Sequence, residues 1–176
     1  MIWHSYEWKQ YLKRLLRDLK RKIQKGSDEV PFLVERNIFI IAFTIRKLFD
    51  SHKTTDKLAS LKFPFRMHKK IGGRHHDRTF HTADPEYWDL HTYTLGEFKI
   101  RDVCNEIIHS DILTWIGDEQ QIEGFYIASE IRASKRLFQT DFETFIQITD
   151  LVLSDSVVSG SISFDETGKI EMRRLI

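Results

Sequence analysis

Arg101-Asp102-Val103-Cys104-Asn105-Glu106-Ile107-Ile108-His109 is the stretch on which the reading of this chain turns. In a helix of 3.6 residues per turn, positions i, i+4 and i+8 share one face. Arg101, Asn105 and His109 then form a single polar row, and Ile100, Val103, Cys104, Ile107 and Ile108 form an apolar stripe beside it. The stripe predicts docking onto other helices, and the row predicts a surface turned towards a groove or a partner. A cation, an amide and an imidazole in line suit phosphate chemistry, because they neutralise charge, orient the group and move a proton. The plainer alternative is a solvated flank whose histidine caps the helix C-terminus, where a cation is favourable.

Outward from this helix the pattern changes on both sides. Thr94-Leu95-Gly96-Glu97 has capping-box spacing and predicts the helix start; the end is expected near His109-Ser110. Residues 111–129 read as a β-hairpin with arms 112–116 and 122–128. Thr140-Asp141-Phe142-Glu143 is a second capping box, opening a helix with Phe142, Phe145, Ile146 and Thr149 on one face. Residues 157–176 predict a closing hairpin with a turn at Asp165-Glu166-Thr167-Gly168.

Towards the N-terminus, Trp8, Leu12, Leu15, Leu16, Leu19 and Ile23 follow helical spacing, and Gly26 ends a helix over 5–25. Ser27 or Asp28 caps a second helix with Pro31 in its first turn, running to about Phe49. Its middle, residues 38–43, is apolar on all sides, which predicts a central buried helix. Arg36 and Arg46 near its two ends are read either as ion-pair or phosphate groups or as solvated helix ends. Residues 51–95 are irregular apart from a short strand around Leu61, Phe63, Phe65 and Met67, which Pro64 confines to a sheet edge. A basic loop over 68–92 contains Lys69, Lys70, Gly72, Gly73, Arg74 and Arg78. The expected architecture is a mainly helical α+β chain of one domain over 1–176, a bundle of about four helices with two small hairpins added at 111–129 and 157–176.

Composition narrows the function classes. The chain has 176 residues and a formal net charge of +1, but its charge is unevenly spread. Lys9 to Lys25 holds eight Lys/Arg and one acid, Asp18; Lys62 to Arg78 holds six and one acid, Asp77. Such clustering permits a basic surface for nucleic acid or an acidic partner, although an exposed helix face is also solvated in this way. The single Cys104 excludes an internal disulfide and fits a reducing cytosol. The residues at the start carry no signal-peptide pattern and no apolar run is long enough to span a bilayer, so a cytoplasmic protein without a membrane partner is expected.

Other chemistries have weaker support. His75, His76, His81 and His91 invite a zinc site, but no Cys-x-x-Cys or His-Glu-x-x-His spacing accompanies them. Ile71-Gly72-Gly73-Arg74 lacks the Gly-Lys-Ser/Thr ending of a phosphate loop. Cys104 as a nucleophile needs a base and a lowered pKa, whereas its place on the apolar stripe predicts packing. No metal or cofactor is expected.

The Asn105-x-x-x-His109 row in a mostly helical chain resembles the HEPN superfamily, small helical bundles of which many are metal-independent ribonucleases in toxin, abortive-infection and RNA-immunity systems. The family signature has an Arg immediately before the polar residue; here that position is Cys104, and Arg101 lies one turn earlier on the same face. The resemblance implies a HEPN-like bundle and a homodimer whose two His109 side chains share a cleft. It implies His109 as general acid or base, Asn105 orienting the phosphate, and Arg101 offsetting charge. Arg36, Arg46, Lys69, Lys70, Arg74 and Arg78 would hold RNA. It equally allows a form that lost its chemistry and kept a protein-binding surface, as a scaffold or neutralising partner.

Overall fold

Helical periodicity governs the first fifty residues. In the computed structural model, which describes residues 4–24, 30–71, 83–118, 121–133, 135–164 and 170–175, α1 spans Ser5–Ile23 and α2 spans Val30–Asp50. Leu12, Leu15 and Leu19 of α1 are buried in one cluster with Val34, Ile38, Ile41, Ala42, Ile45 and Leu48 of α2, and Leu16 is buried on the side towards α5. The last turn of α1 carries Lys20, Arg21 and Lys22, which complement the negative end of the helix dipole. The proposed caps Ser27 and Asp28 of α2 lie outside the described residues. At its far end the Lys53 N–H donates to Leu48 O (2.9 Å) and the His52 N–H to Phe49 O (3.1 Å). His52 takes φ 55°, so the helix closes in a Schellman turn on a left-handed residue.

Asp18 and Asn37 lock the two helices. Asn37 is completely buried, and its Nδ2 donates to Asp18 Oδ2 at 2.9 Å, while Arg21 Nη2 lies 2.6 Å from Asp18 Oδ1. The Asn37 hydrogen bond, foremost, with Arg21 and Lys22, holds the Asp18 carboxyl below its ordinary value of 3.8. A carboxylate depressed in the folded state adds stability above its unfolded pKa, and that stability is lost as pH falls through the folded value. Chemical denaturation followed below pH 3.8 should therefore show the wild type losing stability faster than Asp18→Asn, which cannot titrate there. Equal acid sensitivity would show that the contact does not couple to folding.

Beyond α2 the chain turns from helix to sheet. After α3 (Asp56–Ser60), β1 (Lys62–Lys69) and β2 (Thr94–Lys99) pair antiparallel, α4 (Ile100–Ile108) follows, and β3 (Ser110–Gly117), β4 (Ile122–Ser129) and β5 (Arg136–Asp141) complete a five-stranded antiparallel sheet. Its order is β2-β1-β5-β4-β3. α5 (Phe142–Ser154) then packs back, and β6 (Ser159–Phe164) with β7 (Ile170–Leu175) forms a separate two-stranded sheet. Thr55 caps α3 and in turn donates its N–H and Oγ1–H to the Asp155 carboxylate (2.8 and 2.6 Å), tying α3 to the end of α5.

The sheet separates two cores. Phe63, Phe65, Phe125, Ile127 and Phe138 face the helices and join the main core. Ile112, Ala128 and Leu137 face the other way, where Trp88 from the segment 83–92 covers them. His68 on this second side is buried, with Nδ1 3.0 Å from both Asp89 O and Thr92 O, and Nε2 2.8 Å from Gln139 Oε1. The ring thereby fixes the covering segment to the sheet.

This architecture corrects the four-helix bundle with two small hairpins, the HEPN-like bundle included: among the described residues five helices accompany a five-stranded sheet, and the 111–129 hairpin supplies two of its strands, β3 and β4. Two local readings explain the difference. Thr94-Leu95-Gly96-Glu97 has the residues of a capping box but forms β2, and Lys99 precedes α4 without a side-chain cap bond. Phe98 decides the matter, because its ring packs edge-on against Phe65 (5.2 Å) and Phe138 (4.8 Å), contacts that only a strand delivers. Gly96 belongs to the same pairing: a Cβ there would stand 2.7 Å from Met67 Sδ. Pro64 likewise does not sit on an edge strand, since β1 lies between β2 and β5. It is tolerated because the β1–β5 ladder runs only from Arg66↔Gln139 to Lys69↔Arg136, leaving Pro64 beyond it. No helix among the described residues is long and apolar enough to cross a membrane.

Candidate functional site

A helix of nine residues is marginal by itself, so α4 depends on its apolar side. Ile100, Val103, Cys104 and Ile107 are buried in the main core. That leaves Arg101, Asn105 and His109 on the outer flank, as the spacing predicts, but the three do not act as one row.

Asn105 and Arg101 are both engaged by α2. Arg46 Nε donates to Asn105 Oδ1 at 2.8 Å, and the Arg46 guanidinium also pairs with Asp50 one turn on. The same Asp50 carboxylate takes Arg101 Nη2 at 3.2 Å. Arg101 is thus turned towards the end of α2. Its anticipated place beside Asn105 is filled by Arg46.

His109 is exposed and occupies the C-cap of α4, its N–H donating to Asn105 O at 3.0 Å. Its carbonyl accepts the Glu130 N–H at 3.2 Å, which joins the helix end to the turn between β4 and β5. Between them lies an open cleft of about 670 Å³, lined by Arg46, Asn105, Glu106, His109, Asp111, Glu130 and Arg132 among others. The capping role and the site role of His109 coexist: its backbone closes the helix, and the residue lines the cleft.

Glu106 and Arg132 form the floor. Glu106 is buried; its Oε2 accepts the Ser129 N–H at 3.1 Å and its Oε1 lies 3.2 Å from Arg132 Nε. The Arg132 guanidinium stands 5.6 Å from the Phe98 and the Phe138 ring centroids, a double cation–π contact that orients it. Neither residue was among the sequence candidates. Glu106 follows Val103 by three positions, so helical spacing places it at the margin of the apolar stripe, where a carboxylate needs a partner. Arg132 carries no comparable signal, since only the sheet brings it under α4.

The remaining candidates disperse. Arg36 lies ten positions before Arg46, about 15 Å along α2, and stands 3.9 Å from Asp18. Lys69 ends β1 opposite Arg136, and Lys70 forms a bridge to Trp88; neither lines the cleft. Arg74 and Arg78, with His75, His76 and His81, lie outside the described residues. Among the described residues no three His, Cys, Asp or Glu side chains gather as metal ligands.

Cys104 is buried, and burial pushes its thiol from 9.0 up to about 12, with the Arg46 charge opposing only in part. It is a packed thiol without the thiolate a nucleophile requires. The native protein should resist an aromatic disulfide reagent at pH 8 over a period in which the denatured chain reacts fully. Rapid native labelling would place this sulfur at the surface instead.

No family model, curated protein or solved structure gives a significant match to the chain.

Proposed function

We propose that the α4 cleft binds a phosphodiester of RNA and cleaves it without a metal ion. The observation carrying this reading is the convergence of Asn105, His109, Arg46 and Arg132 on one open cleft. Cleavage of this kind needs a group to move protons between the ribose 2′-hydroxyl, the phosphate and the leaving 5′-oxygen, and fixed cations for the charge that gathers on phosphorus-bound oxygens. The 2′-oxygen attacks phosphorus, the bond to the 5′-oxygen breaks, and a 2′,3′-cyclic phosphate and a 5′-hydroxyl result. His109 protonates the departing 5′-oxygen. The carboxylates of Asp111 and Glu130 on the same cleft provide the complementary acceptor for the 2′-hydroxyl proton. Arg46 and Arg132 are held in place by Asp50 and Glu106, so they need no reorganisation to face the substrate. From the HEPN likeness this keeps the Asn-x-x-x-His chemistry and discards the bundle. A reducing, cytoplasmic setting goes with the reading, because the one cysteine is a buried thiol.

The test is incubation with a single-stranded RNA in excess chelator, reading out cyclic phosphate ends. Folded, nuclease-free protein that leaves the RNA intact would end the proposal. That result would favour a second reading, in which the cleft is a contact surface for another protein or a second copy. Ile131, 87% exposed on the rim, is the observation on its side.

A further inference from the structure

The cleft sets a problem that the rest of the molecule answers. It carries Arg46 and Arg132 but also Glu106, Asp111 and Glu130, so its formal charge does not favour a long polyanion. Affinity has to reside on a neighbouring surface, and the outer face of α2 leads directly to the cleft. Phe32, Arg36, Phe39, Phe43 and Lys47 follow one another at spacings of four, three, four and four, a single helical row with no acid in it. Phe32 is 66% exposed and Phe43 45% exposed, unusual for large apolar rings on a helix with so buried an opposite side.

Cations sit against these rings. Lys47 Nζ lies 5.5 Å from the Phe43 ring centroid. On α1, the Arg14 guanidinium lies 5.9 Å from the ring of Tyr11, itself 39% exposed. The six residues between α1 and α2 are too few to run back along a helix of about 28 Å, so the two lie antiparallel; Arg36 and Asp18 stand 3.9 Å apart, and seven positions on from the one and seven back from the other bring Phe43 and Tyr11 level. Of the acids bordering the row, Asp18 is engaged by Asn37 and Arg21 and Asp50 by Arg46 and Arg101, while Glu35 is exposed beside Phe32 and Phe39. The row is about 22 Å long, and its last turn contains Arg46, which touches Asn105 at the cleft.

Alternating rings and cations on an open track are what unpaired bases and their phosphates require, since every base has a face to stack and every linkage a charge. A duplex offers phosphates only and leaves the rings unused. We infer that Phe32, Arg36, Phe43 and Lys47 of α2, with Tyr11 and Arg14 of α1, form a stacking track for single-stranded RNA that leads one phosphodiester into the α4 cleft. This inference rests on the proposed function for the identity of the cleft's substrate, but the track binds RNA whether or not the cleft reacts.

Fluorescence anisotropy with a twelve-nucleotide 2′-O-methyl RNA, which has no free 2′-hydroxyl to attack, tests the track alone. The Phe43→Ala/Lys47→Ala variant should bind about tenfold or more weakly than the parent. A Lys13→Ala/Arg17→Ala variant on the opposite, α5-facing flank of α1 should stay within about twofold apart from a small change in salt dependence. A hairpin duplex of equal length should bind more weakly than the single strand. Equal binding by the parent and the Phe43/Lys47 variant, equal binding of duplex and single strand, or no binding by the parent would each overturn the inference. So would light scattering that shows the same variant dissociating a homodimer while RNA binding is unchanged. Cleavage of a dinucleotide, too short to reach the track, separates the two readings. Its persistence in the Phe43/Lys47 variant supports the division of labour, and its absence in the parent defeats the cleft reading while the anisotropy result still judges the track.

Discussion

Replacing His109 by alanine is expected to reduce metal-independent RNA cleavage at least about a hundredfold, the lower end of what a positioned acid–base group contributes. The thermal midpoint should move by no more than about 2 °C. The second half of this expectation follows from where the residue sits. Its ring is exposed at the C-cap, and the hydrogen bonds that close α4 and join it to the β4–β5 turn come from its backbone N–H and carbonyl, which alanine retains. Loss of activity with an unchanged melting curve would therefore isolate the imidazole. Equal cleavage by parent and variant would show either that the proton moves elsewhere or that the nuclease is a contaminant. A large fall in melting temperature would show that the ring braces the helix end, and the activity loss would then say nothing about chemistry. The assay belongs in excess chelator, so that a metal nuclease carried through purification is silent.

The largest stability effect is expected at Phe125. Phe125→Ala should cost about 3–5 kcal/mol, the range for removing a fully buried ring, and lower the melting temperature by roughly 10 °C. Phe125 is completely buried on β4, with its ring centroid 5.5 Å from Phe142, 5.9 Å from Phe145 and 6.5 Å from Trp115. These neighbours come from the first turn of α5 and from β3, so one side chain welds sheet to helix. The hole cannot close, because β4 is held on both sides by strands and its neighbour Gly124 is pressed against Thr140 O, only 2.4 Å from where a Cβ would lie. A cost under about 1 kcal/mol, measured by denaturant titration, would mean that the aromatic cluster repacks freely and that the sheet–helix contact is looser than these distances imply.

Much of the outline is legible in the residues. The leucine spacing of α1, the helical run of α2, the hairpin over 111–129 and the start of α5 stand in the structure, but Phe43 in the middle of α2 is 45% exposed, and the cap of α5 is Asp141, whose Oδ1 accepts the Thr144 N–H at 2.6 Å, in place of Thr140. The sheet itself was hidden. β5 reads Arg136-Leu137-Phe138-Gln139-Thr140-Asp141, and it escapes a pattern search because Leu137 fills the small core and Phe138 the large one. A strand buried on both faces does not alternate between apolar and polar. β2 was hidden for the opposite reason: its residues satisfy a local helix-start rule, and only long-range contacts of Phe98 overrule it. At the site, helical spacing places Asn105 and His109 on the outer flank of α4, but it cannot reveal that Arg46, from a different helix, displaces Arg101 as the partner of Asn105.

The two halves of the sheet are stitched by a seam of four paired positions, Arg66↔Gln139 to Lys69↔Arg136. Each half can assemble from neighbours in sequence: β1 with β2, and β3, β4 and β5 by successive hairpins. The seam alone must wait for some seventy intervening residues to be gathered in. Of the pairings in the sheet it therefore closes the longest loop and carries the largest loop-closure cost.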